Sequence, residues 1–385
     1  MDSMSALKWV RPNLKIIDQL LLPHEQVWID VCSTESAHKA IKTMQVRGAP
    51  AIGVVAALGI ASDILHTFSN GVSVSQVREY LFEKTSYLST SRPTAVNLFE
   101  AMDLLKKIVA EKSNELESNG INDGMIIVEQ VVKTAESLLE RDLNDNKAIG
   151  KFGSEFLIER HGESGFSVLT HCNTGSLATA GYGTALGIIR SLHKNAKNLG
   201  HVYCTETRPY NQGSRLTAYE LFVEKIDFSL VTDSMVSYLI SRNEEGSAPV
   251  KAIIVGADRV ARNGDTANKI GTFQLALIAK HFGIDFIVAV PVTSIDLTLD
   301  NGSLIPIEYR NKDEVTTTSG VLVNQNSNKL ERATVRTAPF GDYGVWNPSF
   351  DVTPANLITA IITEKGTIKR HENGTFDLIN SLANF

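Results

Sequence analysis

Cysteine is scarce in this 385-residue chain: Cys32, Cys172 and Cys204 are an odd number, with no CxxC spacing among them. Neither a disulfide framework nor a zinc site is indicated, and the pattern fits a reducing compartment. Basic excess is lacking too. With 37 Lys and Arg against 43 Asp and Glu, the formal net charge is −6, which argues against nucleic acid or an anionic membrane as partner. No run of ~18 apolar residues stands out, and Met1 to Val10 holds no cleavable apolar core. A secretion signal and a membrane span are therefore not expected. Internal repeats and low-complexity tracts are absent, and Gln325-Asn-Ser-Asn-Lys329 is a polar loop too short for a linker. What is present is a 43% hydrophobic composition, enough for a sizeable core in a chain long enough for two or three domains.

The chain changes character near residue 150. Short β-like segments at Ala6–Val10, Lys15–Ile17 and Val27–Ile29, punctuated by Pro12 and Pro23, indicate a small starting sheet. Helical spacing of apolar residues follows over Ser36–Gln45, Ile52–Phe68, Ser73–Thr85, Pro93–Lys112 and Gly124–Leu143. Past Gly162 strands alternate with helices. Phe166–Thr170, His201–Thr205, Ile226–Thr232, Ala252–Val255 and Phe286–Pro291 read as buried strands. Gly181–Lys194, Leu216–Glu224, Ser234–Arg242 and Asn268–His281 read as helices, and Ile358–Lys369 as helix running into strand. The alternation predicts a parallel sheet with right-handed crossovers. The expected fold class is α/β, with a mainly helical N-terminal domain and small sheet over 1–150, and a parallel-sheet domain over 151–385.

Two strand ends carry chemistry. Phe166–Thr170 leads into His171-Cys172-Asn-Thr-Gly175, and Lys251–Val255 leads through Gly256-Ala257 into Asp258. In an open parallel sheet such ends line the ligand crevice. A lone Cys after an apolar run is more often a small buried hydrophobe, and a lone Asp there is often a helix cap. The pairing favours catalysis, because both lie in polar, Gly-containing turns.

Three cations are candidates for phosphate. Arg262–Ala267 forms a Gly-bearing turn before a helix expected to begin at Asn268-Lys269, where free N–H groups favour an anion. Lys269 suits a phosphate there better than it suits the helix dipole; an ordinary solvated lysine is the competing reading. Arg47 lies in Arg47-Gly48-Ala49-Pro50, and Arg92 precedes Pro93, a residue suited to the first helical turn. Each stands at an expected helix entrance, where a guanidinium can bind phosphate with two parallel hydrogen bonds.

Six strings, in order along nearly the whole chain, go further: RGAPAIG (47–53), SRPTAVN (91–97), THCNTGSLATAGYGTALGIIR (170–190), ETRPYNQGSRLTAYEL (206–221), GADRVARNGDTANKIGT (256–272) and NPSFDVTP (347–354). Together they resemble the methylthioribose-1-phosphate isomerases of methionine salvage. Their superfamily also holds regulatory subunits of a translation-initiation guanine nucleotide exchange factor and ribose-1,5-bisphosphate isomerases. The resemblance implies a catalytic thiol at Cys172, a catalytic acid at Asp258, and substrate contacts at Arg47, Gly48, Ala49, Arg92, Gln212, Asn268 and Lys269. Pro291–Leu297 and Ile307–Arg310 depart mildly from the family wording, and the polar stretch 324–336 is expanded.

The same resemblance implies a Rossmann-like second domain, a homodimer, a sugar-phosphate substrate, no cofactor, no metal, and a cytoplasmic location that in a eukaryote extends to the nucleus. The glycine turns Asn173-Thr-Gly-Ser and Gly181-Tyr-Gly-Thr are not GxGxxG, so the fold does not import NAD. An aldose phosphorylated at C1 is locked as an acetal, so its ring oxygen must be protonated while C2 loses hydrogen. Asp258 is the expected acid and Cys172 the expected acceptor of the C2 proton; a hydride shift from C2 to C1 is compatible with the same residues. A regulatory subunit is free to lose Cys172, Asp258 and Arg47, and a bisphosphate isomerase needs a second cationic pocket instead of an apolar wall.

Overall fold

The computed structural model describes residues 4–383 apart from 69, 94, 163–164, 196–198, 243–247, 324–330 and 342. The polar loop at 325–329 thus lies outside the described residues. The chain divides into two compact units: Met1–Leu20, Gln26–Ala148 and Thr174–Gly187 in the first, and Leu21–Glu25, Ile149–Asn173 and Ile188–Phe385 in the second.

Unit one opens on an antiparallel sheet of β1 (Leu7–Val10), β2 (Asn13–Ile17) and β3 (Trp28–Val31). In β2 Leu14 and Ile16 point into the core while Lys15 faces out, the alternation that a pleated strand imposes. Helices α1 (Thr34–Lys42), α2 (Ala49–Thr67), α3 (Val74–Ser89) and α4 (Val96–Ser118) follow. Reciprocal capping boxes, Ser33 with Ser36 and Ser73 with Gln76, start α1 and α3 by satisfying N–H groups that a helix leaves orphaned. Within α2, Pro50–Thr67 is long and apolar enough to span a membrane by length and composition, contrary to expectation. It is 78% buried. Ile52, Val55, Leu58 and Ile60 make it the core helix of this unit.

The next helix, α5 (Met125–His161), is 37 residues long and continues well past the expected end at Leu143. Its polar cluster does not stop it because Asn146 bonds back to Asp142 one turn earlier along the helix. Asn146 Nδ2 donates to the Asp142 carbonyl at 2.7 Å and to the Asp142 carboxylate at 3.0 Å.

Unit two is built on β4 (Phe166–Thr170), β5 (Leu199–Thr205), β6 (Phe228–Val231) and β7 (Val250–Val255), then β8 (Arg259–Ala261), β9 (Thr266–Lys269), β10 (Asp285–Ala289) and β11 (Ile295–Asp296). Later come β12 (Thr317–Val321), β13 (Arg332–Arg336), β14 (Phe350–Thr353), β15 (Ala360–Thr363) and β16 (Gly366–Lys369). Seven strands form one sheet in the order β16-β15-β10-β7-β4-β5-β6. All its pairs are parallel except β15 with β16. Helices α6 (Ala185–Lys194), α7 (Ala218–Val223), α8 (Val236–Arg242) and α9 (Thr272–Phe282) lie between its strands in sequence. The expected α/β class, helical region first and Rossmann-like sheet second, is the one observed. From β4 the chain winds outward through β5 and β6, then returns to β7 on the other side and continues to β10 and β15. The switch point lies between β4 and β7.

Three expected elements differ. Asn268-Lys269 does not open a helix: both residues lie on β9, in a four-stranded sheet ordered β11-β8-β9-β14, and α9 begins at Thr272. Polar residues at 266–269 lack a strand signature, and pairing with β14 rather than propensity decides their state. The tail at 358–369 is a hairpin of β15 and β16 rather than helix, because the apolar run at 360–362 extends the central sheet. Pro93 lies in a turn, and α4 starts only at Val96 after Ala95 donates its N–H to the Arg92 carbonyl at 3.1 Å.

Candidate active site

Strands β4 and β7 are neighbours in parallel register, with Thr170 opposite Ile254, and Thr170 Oγ1 donates to the Ile254 carbonyl at 2.8 Å. Cys172 follows two residues beyond β4 and Asp258 three beyond β7. Both therefore leave the sheet on its C-terminal side at the switch point, where open α/β sheets bind ligands. Cys172 is buried, Asp258 half-buried, and the Asp258 N–H donates to the Ala267 carbonyl at 2.9 Å.

The turn at Cys172 is set by its neighbours. Its φ is +66°, and Thr207, two residues past the adjacent β5, has φ +62°. Thr207 Oγ1 accepts the Cys172 N–H at 2.9 Å, and Thr217 Oγ1 donates to the Cys172 carbonyl at 2.5 Å. Thr217 ends a π-helical turn, Gly213–Thr217. Only glycine fits at its start, since a Cβ on Gly213 would stand 1.7 Å from the Thr205 carbonyl oxygen. The same turn positions the buried Gln212, whose carboxamide oxygen has no hydrogen-bond partner among the described residues. Below the turn, Asn173 Nδ2 donates to Glu220 at 2.8 Å, and the buried Arg190 guanidinium bridges Glu220 and Glu224 at 2.7 Å each.

Sheet pairing carries Asn268 and Lys269 to the same region of unit two. Ala267, which accepts the Asp258 N–H, is followed on β9 by Asn268 and Lys269. His171 Nε2 meets the Ile270 carbonyl at 2.9 Å, and its Nδ1 meets Thr205 Oγ1 at 2.6 Å. A carbonyl only accepts, so Nε2 carries the proton and Nδ1 accepts from Thr205. Burial lowers the His171 pKa and keeps the ring neutral.

Lys269 is 9% exposed, not the solvated lysine of the competing reading. Its ammonium stands 4.9 Å from the centre of the Phe350 ring. Two N–H groups at the start of α9 are engaged: Gly271 and Phe273 donate to Asp351 at 2.7 and 3.0 Å. That carboxylate caps α9, whose start lies at Thr272 rather than at Asn268-Lys269. Burial pushes Asp351 up to about 6, while the two N–H donors and Lys269 pull the other way. Sequence reasoning missed Thr207, Thr217, His171 and Asp351. The only sequence signal for Asp351 was its place inside NPSFDVTP.

In unit one Arg47 precedes Gly48, the N-cap of α2, with φ +99°. A Cβ there would meet the Ala178 carbonyl oxygen at 2.3 Å, so the glycine lets the 174–187 loop close on the helix entrance. The Ala178 carbonyl accepts the Ala51 N–H at 3.3 Å. Asp142 on α5 accepts the Ala180 N–H at 2.6 Å, and burial pushes this carboxyl up to about 7. Arg92 is half-buried in the turn ahead of α4. Ala49 is the first residue of α2. Among the described residues no group of three or more His, Cys, Asp or Glu side chains is placed to hold a metal ion.

A sequence from Aspergillus clavatus described as methylthioribose-1-phosphate isomerase is 50% identical over 384 residues, covering 97% of each chain. The chain belongs to the methylthioribose-1-phosphate isomerase family. The model of the wider initiation factor 2 subunit family matches residues 45–370. The crystal structure of 5-methylthioribose 1-phosphate isomerase from Pyrococcus horikoshii superposes with a TM-score of 0.80 at 35% identity, covering 95% of this chain and 92% of that one. A structure from A. fulgidus described as translation initiation factor eIF-2B, subunit delta, gives 0.79 at 34% identity, with both chains fully covered.

Proposed function

We propose that this enzyme converts 5-methylthioribose 1-phosphate to 5-methylthioribulose 1-phosphate in methionine salvage, with Cys172 and Asp258 handling the protons. The observation that carries this reading is their placement beyond adjacent strands at the switch point of the sheet, in a chain half identical to a relative of that name. Asp258 delivers its proton to the ring oxygen as the bond from C1 to that oxygen breaks, and the Cys172 thiolate takes the proton from C2. An enol forms between C1 and C2. The thiol then protonates C1 while the C2 hydroxyl returns its proton to the Asp258 carboxylate, so a ketone forms and both residues are restored.

Substrate contacts are assigned, as the family resemblance implies, to Arg47, Gly48, Ala49, Arg92, Gln212, Asn268 and Lys269. The carboxamide oxygen of Gln212 suits a sugar hydroxyl, and the Lys269 ammonium suits the phosphate. The retained thiol, acid and Arg47 favour an enzyme over a non-catalytic subunit.

Turnover of 5-methylthioribose 1-phosphate and of ribose 1,5-bisphosphate, measured side by side, tests the substrate. Turnover of the first is expected; turnover of the second alone overturns the reading. Cys172→Ser and Asp258→Asn should each lower kcat by ~10² or more with little change in binding, because acid–base terms act in the transition state. The two losses should not add. Full turnover by Cys172→Ser, with easier unfolding, would make the sulfur a core residue only.

A further inference from the structure

Cys172 has a backbone that side chains rarely adopt, held from both sides. Its N–H is accepted by Thr207 Oγ1 at 2.9 Å and its carbonyl receives the Thr217 hydroxyl at 2.5 Å. Both threonines are buried, at 0% and 1% exposure. Thr207 is itself constrained. Its φ of +62° is an outlier for a β-branched residue, and Asp233 secures it by accepting the N–H groups of Thr207 and Arg208 at 2.9 and 2.7 Å. On the other side the π-helical turn that presents Thr217 is pressed against the end of β5 at Gly213. A cysteine that merely filled space would need neither hydroxyl, since ordinary strand or helix geometry serves a small apolar side chain. Conformations of this kind persist only where the surroundings over-determine them, and they gather at functional sites, as π-turns do.

We propose that Thr207 and Thr217 are positioning residues that clamp the main chain of Cys172 on both sides and so fix the direction of its Sγ. The proposal rests on the reading of Cys172 as the proton-handling thiol. Neither hydroxyl is assigned a part in the chemistry: Thr217 gives its proton to the Cys172 carbonyl, and Thr207 accepts the Cys172 N–H while its own hydroxyl pairs with Thr205.

Valine at either position removes the hydroxyl and keeps the shape, whereas serine keeps the hydroxyl and removes the methyl. In the full-length enzyme, Thr207→Val and Thr217→Val should each lower kcat ~10- to 100-fold, as misplacement of a reacting group does. KM for 5-methylthioribose 1-phosphate should stay near native, and Thr207→Ser and Thr217→Ser should restore most of kcat. A second readout is the pH profile of Cys172 alkylation by iodoacetamide, followed by mass spectrometry: displaced in the valine variants and native-like in the serine variants. Native kcat in both valine variants, or equal losses in serine and valine, overturns the clamp. If Thr207→Val does not fold, Thr217→Val and the two serine variants decide by the same criteria. An inactive Cys172→Ser beside fully active valine variants overturns the clamp alone, and a fully active Cys172→Ser overturns the thiol reading as well.

Discussion

Lys269 shows how one residue changes meaning between sequence and structure. Read as the first turn of a helix, it is a surface cation. On β9 it is buried, with its ammonium over Phe350 and its charge acting on Asp351. A buried cation with a ligand role should reveal itself in affinity rather than in turnover. Lys269→Met is expected to raise KM by ~10-fold or more, equivalent to about 1.4 kcal/mol or more, and to abolish competition by inorganic phosphate, with kcat changed much less. Unaltered KM and phosphate inhibition would remove Lys269 from the binding set.

At the scale of elements, α5 holds the 174–187 loop through one carboxyl group. Asp142 accepts the Ala180 N–H, and burial raises it from 3.8 to about 7. A raised carboxyl contributes stability that is fully present below its unfolded pKa and is lost as pH rises through the folded one. The native protein should therefore lose stability between about pH 4 and pH 7, with a slope up to about 1.4 kcal/mol per pH unit from this group. Asp142→Asn keeps an acceptor for Ala180 and has nothing to ionise. Thermal unfolding should give the variant a higher Tm than native at pH 8 and a similar Tm near pH 4; a Tm lower than native at pH 8 refutes the argument. The length of α5 was not legible because Asp142 to Asn146 looks like a stop, and only bonds along the finished helix show otherwise.

For the whole molecule, the family resemblance implies a homodimer with each active site mostly built within one chain. Light scattering at micromolar concentration should give twice the mass of the chain. A fully active monomer would contradict this. Phe222, Tyr238 and Met235, more than half exposed, lie on or beside α7 and α8 in unit two, and such apolar exposure is common where a partner binds.

By itself the sequence determined the α/β class, the small first sheet, the helices of unit one and the strands that carry Cys172 and Asp258. Those features rest on local periodicity and on turn residues, which act over a few positions. Six motifs in order also determined the family. Tertiary structure alone decided that β4 and β7 are neighbours, that 266–269 is strand, and that Asp351 caps α9. It also decided that two distant threonines meet the peptide groups of Cys172. Each of these depends on pairing between segments far apart in the chain, where hydrogen-bond partners and burial, not local propensity, set the conformation.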